Sequence, residues 1–159
     1  MRFRHEMVYA ADPAAVFAMI TDPEFREQVC VHQRVLRHAV RVEETDDGLL
    51  VDVDQVQSTQ YVPAAARSFV GEEIEIEQRE TWYSSSDATL VLTTPGRPGR
   101  MEGTITLRER GGQTVETVSG EIKVSIPLLG GKLEQMVGNI FRLALEAEAD
   151  VGETWLETS

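Results

Sequence analysis

Apolar and polar residues alternate from the start of the chain. Phe3, His5, Met7 and Tyr9 fall on one face and Arg2, Arg4 and Glu6 on the other, the period-two mark of a half-buried strand. Two helix starts follow in ADPAAVFAMI and TDPEFREQVCVHQ, where Asp12 and Asp22 can cap and Pro13 and Pro23 take the first helical position. Period two then returns. RVLRHAVRVEE and LLVDVDQVQ flank Thr45-Asp46-Asp47-Gly48, a hairpin signal. EEIEIEQRETWY carries Ile74, Ile76 and Trp82 on one side and Glu73, Glu75 and Glu77 on the other. DATLVLTT and RMEGTITLRE are separated by a Pro-Gly-Arg-Pro-Gly turn at 95–99, and QTVETVSGEIKVSI follows Gly111-Gly112. One strand, two short helices and a six-strand antiparallel meander are therefore predicted in that order, about seven strands in all. The stretch QSTQYVPAAARSFVGE between the third and fourth strands reads as a short helix or structured lid over 63–70, or as an irregular loop; both stay open.

The last segment, IPLLGGKLEQMVGNIFRLALEAEADVGETWL, changes period. Leu133, Val137, Ile140, Ala144, Ala147, Val151 and Trp155 fall on one helical stripe, which predicts an amphipathic helix of about seven turns. Its Gly130-Gly131-Lys132 is not a phosphate cradle. A phosphate loop needs glycine where Ile126 stands and Ser or Thr where Leu133 stands. The two glycines read instead as a hinge between the last strand and the helix.

This order resembles the helix-grip fold of the START-like superfamily, over essentially the whole chain. The likeness rests on DPAAVFAMITDPEF, similar to the superfamily's paired helices, and on IPLLGGKLEQMV with EAEADVGETWL, similar to its final strand and helix. Within the superfamily, YVPAAARSFVGEEIEIEQRETW and PLLGGKLE look most like an uncharacterised bacterial branch. The resemblance implies an α+β fold in which a curved antiparallel sheet grips the C-terminal helix on its concave face around an apolar cavity. Lipid-transfer domains, plant hormone binders and polyketide cyclases share that scaffold, so it implies a small hydrophobic ligand without fixing a reaction.

Composition narrows the picture. A length of 159 residues, 42% hydrophobic and 26% charged, fits one domain over 1–159 with a core of its own. The net charge of -12 argues against nucleic acid and anionic membrane surfaces as partners. The only cysteine, Cys30, allows no intrachain disulfide and no cysteine-based metal site, and it reads as a small core residue. The first residues lack the apolar run of a secretory signal and no stretch has the length of a membrane span, so a cytoplasmic protein without membrane insertion is expected. No cofactor and no metal are implied. Asp52 and Asp54 lack the further oxygen ligands of a calcium loop and read as solvent-facing acids. HEMVY sits on a strand, so His5 and Glu6 point apart and form no zinc motif. A homodimer is left open.

The polar residues that the strand phases turn inward are the candidates for chemistry. His5 lies between Phe3 and Met7, His38 between Leu36 and Val40, and Gln78 and Glu80 continue the face of Ile74, Ile76 and Trp82. A carboxylate on an inward face is costly unless paired or protonated, so Glu80 needs a reason to be there. Glu80, His5 and His38 are the acid–base candidates. The expected ligand wall comprises Phe3, His5, Met7, Gln78, Glu80 and Trp82 from the sheet with Val137, Ile140 and Ala144 from the helix; Tyr83 and Trp155 are candidates for its rim. A carrier or sensor of a lipid, polyketide or isoprenoid-like molecule fits best, because no complete catalytic set is visible. A cyclase or dehydratase using an inward His or Glu is the alternative, and a protein-interaction module a further one.

Overall fold

The computed structural model describes residues 1–60 and 62–158, with the backbone alone at positions 65 and 69. Its strands are β1 (Arg2–Tyr9), β2 (Arg37–Thr45), β3 (Gly48–Ser58), β4 (Glu73–Trp82), β5 (Asp87–Thr93), β6 (Gly99–Arg110) and β7 (Gln113–Val124). They form one antiparallel sheet in the order β1-β7-β6-β5-β4-β3-β2. The meander pairs neighbour to neighbour, and β1 closes on β7 from Arg2 opposite Glu121 to Tyr9 opposite Thr114. The inward phases are those of the alternation: Phe3, Met7, Leu90, Met101, Ile105, Val118 and Ile122 are all buried.

Between β1 and β2 stand α1 (Pro13–Ile20) and α2 (Pro23–His32). Each begins as its sequence requires: the Ala15 and Glu24 amides donate to Asp12 and Asp22 Oδ1, both at 2.8 Å, and proline follows each cap. They bury Val16, Met19 and Ile20 from α1 and Phe25, Arg26, Val29 and Cys30 from α2. Residues Ala64–Val70 form α3, a short helix ended by Gly71 at φ 78°.

The C-terminal helix α4 (Gly130–Glu157) packs on β1, β7, α1 and α2, but its seating differs from the expected stripe. Leu133, Gly138, Leu145, Glu148 and Gly152 are buried, whereas Val137 and Ile140 remain 37% and 41% exposed. Ala144, Ala147, Val151 and Trp155 are half-buried. Two glycines set this rotation. A Cβ on Gly138 would stand 2.5 Å from Met1 Cε, and one on Gly152 would stand 2.6 Å from Tyr9 Cε1. The helix approaches the sheet where it has no side chains, so its apolar stripe faces partly sideways.

The hinge ahead of α4 also differs from expectation. The left-handed residue is Leu128 at φ 69°, not a glycine. Gly130 is required for space, because a Cβ there would meet the Val124 carbonyl oxygen at 2.6 Å, and a Cβ on Gly131 would meet nothing. Among the described residues, no helix is long and apolar enough to cross a membrane.

Candidate functional site

Because α4 rests on the β1–β7 end of the sheet, a gap remains between its sideways face and strands β3 to β7. It is a cavity of about 130 Å3. Ile76, Leu92, Met101, Ile122, Phe141 and Ala144 supply apolar wall, and the polar part comes from Thr93, Thr94 and Arg100 and from four glutamines: Gln33 just after α2, Gln55 and Gln57 on β3, and Gln78 on β4. The period of two explains their position. Val51 and Val53 are buried, and Gln55 and Gln57 continue their phase; Gln78 shares the phase of Ile74 and Ile76. Register then brings Gln55 opposite Ile76 and Val53 opposite Gln78.

The amides form a chain. Gln57 Nε2 donates to Gln55 Oε1 at 2.8 Å, Gln55 Nε2 donates to Gln33 Oε1 at 3.1 Å, and Gln33 Nε2 donates to the Ala144 carbonyl on α4 at 3.0 Å. Gln78 Nε2 donates to Glu80 Oε2 at 2.7 Å. These bonds orient the polar groups and tie α2 and β3 to the helix. An apolar wall with a few fixed polar groups is the usual make-up of a small-molecule site. The size sets a limit: an empty protein cavity of about 150 Å3 holds a benzene ring. This one accommodates a ring or a few methylenes, and anything longer must extend past Val137 and Ile140 at its rim.

Deeper lies a charged cluster. Arg26, Glu80, Glu116 and Glu148 are each between 1% and 5% exposed. Arg26 Nη2 donates to Glu80 Oε1 at 2.6 Å and its Nε donates to the Ile20 carbonyl at 2.7 Å. Trp82 Nε1 also donates to Glu80 Oε1, at 3.0 Å, and Tyr9 OH donates to Glu116 Oε1 at 3.3 Å. Glu148 Oε1 lies 3.1 Å from Arg26 Nη1 but off hydrogen-bond geometry, which leaves this buried oxygen without a hydrogen-bond partner.

One guanidinium cannot balance three carboxylates in a dry interior. Burial pushes Glu116 well above the usual carboxylate range, with Glu148 and Glu80 adding to the rise and Arg26 and Tyr9 opposing it. Burial likewise raises Glu148, opposed by Arg26 and assisted by Glu80. Burial works against the charge of Arg26, yet Glu80, Glu148 and Glu116 together hold it above its ordinary value. Burial, then Glu116 and Glu148, push the Tyr9 phenol well up. The cluster thus retains protons that exposed carboxyls would have lost. A second, separate space of about 30 Å3 lies between it and the cavity: Gln33, Gln55, Gln78, Phe141 and Ala144 border both, and Arg26 and Glu148 line it on the side of the cluster.

Of the residues expected in the ligand wall, Gln78, Val137, Ile140 and Ala144 line the cavity and the others do not. Glu80 is taken up by Arg26, Gln78 and Trp82. Phe3 stands behind the wall with its ring 5.0 Å from that of Phe141. Met7 is core, as is Trp82, which meets Phe17 edge-on at 5.5 Å. His5 is half-buried on β1 opposite Val118, and His38 is exposed and hydrogen-bonded to Glu27. Tyr83 is exposed, and Trp155 packs against Phe25. For Phe3, Met7, Glu80 and Trp82, all buried, the reason is that a strand's phase gives the face of a side chain but not its distance from α4. Asp52 departs from its expected solvent position: cross-strand partners Arg41 and Arg79 cover it at 3.3 and 3.5 Å, while Asp54 is half-buried.

Arg26, Gln33, Gln55, Gln57, Glu116 and Glu148 are not among the sequence candidates, though several carry a signal. Glu116 shares the phase of Val118 and Ile122, Gln55 and Gln57 that of Val51 and Val53, and Arg26 lies one turn before Val29 and Cys30. Glu148 was hidden by the misplaced stripe.

A curved seven-stranded sheet holding a long helix, with two short helices after the first strand, is the START-like helix-grip fold. Residues 4–156 match the family described as "Protein of unknown function (DUF2505)", and the chain belongs to that family. No curated protein matches the sequence. Among solved structures, TTHA0849 from Thermus thermophilus is similar with a TM-score of 0.68 and 18% identity, covering 97% of this chain and 95% of that one. The Zhui aromatase/cyclase from Streptomyces sp. R1128 gives 0.63 and 13%, over 99% and 93%. Ara h 8.0201 gives 0.65 and 12%, over 100% and 99%. Identities this low establish the shared fold and leave function to the site.

Proposed function

We propose that the chain binds a small apolar molecule in the cavity between the sheet and α4, as a carrier or sensor. The carrying observation is the wall itself: hydrocarbon from Ile76, Leu92, Met101, Ile122 and Phe141, with amides already fixed by one another. A close-packed core has no use for a gap beside Ala144, whereas a binding site requires one. None of His5, His38 and Glu80 lines this wall, which favours binding over acid–base turnover.

Ethylbenzene, an uncharged ring of suitable size, tests the reading. Its titration into isotopically labelled protein followed by NMR is expected to give saturable shifts at Gln55, Gln78, Phe141 and Ala144. Shifts that stay linear, or that map to the outer surface, would overturn it.

A further inference from the structure

The cavity does not end at hydrocarbon. Beyond its inner wall the 30 Å3 space, bordered by five of the same residues, reaches Glu148, whose buried Oε1 lies 3.1 Å from Arg26 Nη1 and has no hydrogen-bond partner. That space has room for a group about the size of one water molecule. Around it the charges do not balance. Arg26 is engaged by Glu80, by the Ile20 carbonyl and, off hydrogen-bond geometry, by Glu148 Oε1 at 3.1 Å; its single charge offsets one of the three buried carboxylates, which leaves two acids in surplus. The surplus is met by protons in the empty protein; a bound cation could meet it instead.

Resting on the cavity reading above, we infer that the ligand is an apolar amine: a hydrophobic body in the cavity with its ammonium against Glu148 Oε1. At the Glu148 end an anionic head would face Arg26 only in competition with three carboxylates, and the other lining cation, Arg100, is already paired with Glu102; a neutral hydroxyl would leave the charge deficit unchanged. The net charge of -12 also favours the encounter with a cation.

The exchange balances simply. The amine arrives protonated, Glu148 gives up its own proton to solvent, and the two charges pair. The groups facing Glu148 are Arg26 and Cys30 from α2, Glu80 from β4, Glu116 from β7 and Tyr9 from β1. Burial, opposed by Arg26 and assisted by Glu80, raises the Glu148 carboxyl, so amine binding is linked to release of up to one proton.

Calorimetric titration with 2-phenylethylamine, 2-phenylethanol and 3-phenylpropanoate, which share the ethylbenzene body, decides the head group. The amine is expected to bind at least about tenfold more tightly than either analogue, the scale of a hydrogen bond to a charged group. Its affinity is expected to rise with pH between about 5 and 8, by at most about tenfold per unit, with proton release measured by comparing two buffers of different ionisation enthalpy. Glu148→Gln is expected to erase the amine's advantage and leave ethylbenzene binding intact. If that variant does not fold, the wild-type ranking and proton release still decide. Equal binding of amine and alcohol, or tightest binding of 3-phenylpropanoate, overturns the inference while the cavity reading stands. Absence of binding by ethylbenzene as well removes the cavity reading, and this inference with it.

Discussion

Arg26 on α2 and Glu80 on β4 meet at 2.6 Å where neither side chain reaches water, across 54 residues of sequence. The pair fastens the paired helices to the middle of the sheet, directly behind the ligand cavity. Glu80 accepts from Gln78 and Trp82 as well, so its negative charge is surrounded by donors. Arg26 is the one charged member of that set: without it, Glu80 keeps two neutral donors and loses its cation.

Arg26→Met should therefore lower stability by about 3–5 kcal/mol at neutral pH, the usual cost of leaving one member of a buried pair uncompensated. The double variant Arg26→Met/Glu80→Gln should be more stable than Arg26→Met alone, because it removes the stranded charge together with its partner. Urea unfolding of the wild type, both single variants and the double variant closes the cycle. Additive losses would show that the two side chains do not act as a pair.

The surplus acids give the protein a pH dependence of defined sign. Glu116 is held above its ordinary value chiefly by burial, with Glu148 on α4 and Glu80 on β4 adding to it and Arg26 on α2 and Tyr9 on β1 opposing. In the unfolded chain its carboxyl ionises at the ordinary value near 4.5, whereas the folded protein keeps the proton. Between those two points the native state binds more protons, so its stabilising contribution is complete below about pH 4 and is lost as pH rises. Glu116→Gln should match the wild type near pH 4 and exceed it increasingly toward neutrality. The slope removed is at most about 1.4 kcal/mol per pH unit. Thermal melts from about pH 4 to pH 8 measure it, and parallel curves would contradict the protonated assignment.

Alternation and capping made the strands, both short helices and the long one legible, because each rests on local spacing: Phe3-Met7-Tyr9 on one face, Asp12-Pro13 and Asp22-Pro23 at helix starts. The site was legible only in part. Ala144 and Gln78 could be placed because a gap needs a small residue and an inward polar group needs a partner. The rotation of α4 could not, because it depends on Gly138 and Gly152 fitting against Met1 and Tyr9, distant in sequence. Once the stripe was taken from apolar residues alone, Glu148 fell on the wrong face and the charged cluster was lost with it. Glu80 was identified as an inward acid, but its partner Arg26 belonged to a different element.

Those glycines yield a paired test. Gly152→Ala improves helix propensity by as much as about 1 kcal/mol, yet its new Cβ would stand 2.6 Å from Tyr9 Cε1 and 3.1 Å from Met19 Cε. Tyr9 is buried and bonded to Glu116, so it has little room to yield. Overpacking of about 1–3 kcal/mol should win, giving a net loss. Gly131→Ala on the same helix meets nothing within 4 Å and should be neutral or gain a few tenths of a kcal/mol, as helix propensity allows. Equal effects at the two positions, by chemical denaturation, would mean that α4 is not seated glycine-first on β1.

Ala144 separates a cavity from a packed core most directly. It borders both the 130 Å3 space and the separate 30 Å3 space, and its backbone carbonyl accepts from Gln33. Replacing it with Phe adds a ring whose burial, on the order of 100 Å2, would contribute about 2.5 kcal/mol before its rotamer entropy is subtracted. In a filled interior the same ring would instead cost about 1–3 kcal/mol of strain. For a domain of this length each kcal/mol moves the melting temperature by roughly 2–4 °C, so the two cases differ in sign and by several degrees. Ala144→Phe should melt at or above the wild-type temperature and lose its ethylbenzene response, because the new ring occupies the ligand's place. A fall of several degrees would show that the helix packs solidly on the sheet at this point, and the binding reading would lose the gap on which it stands.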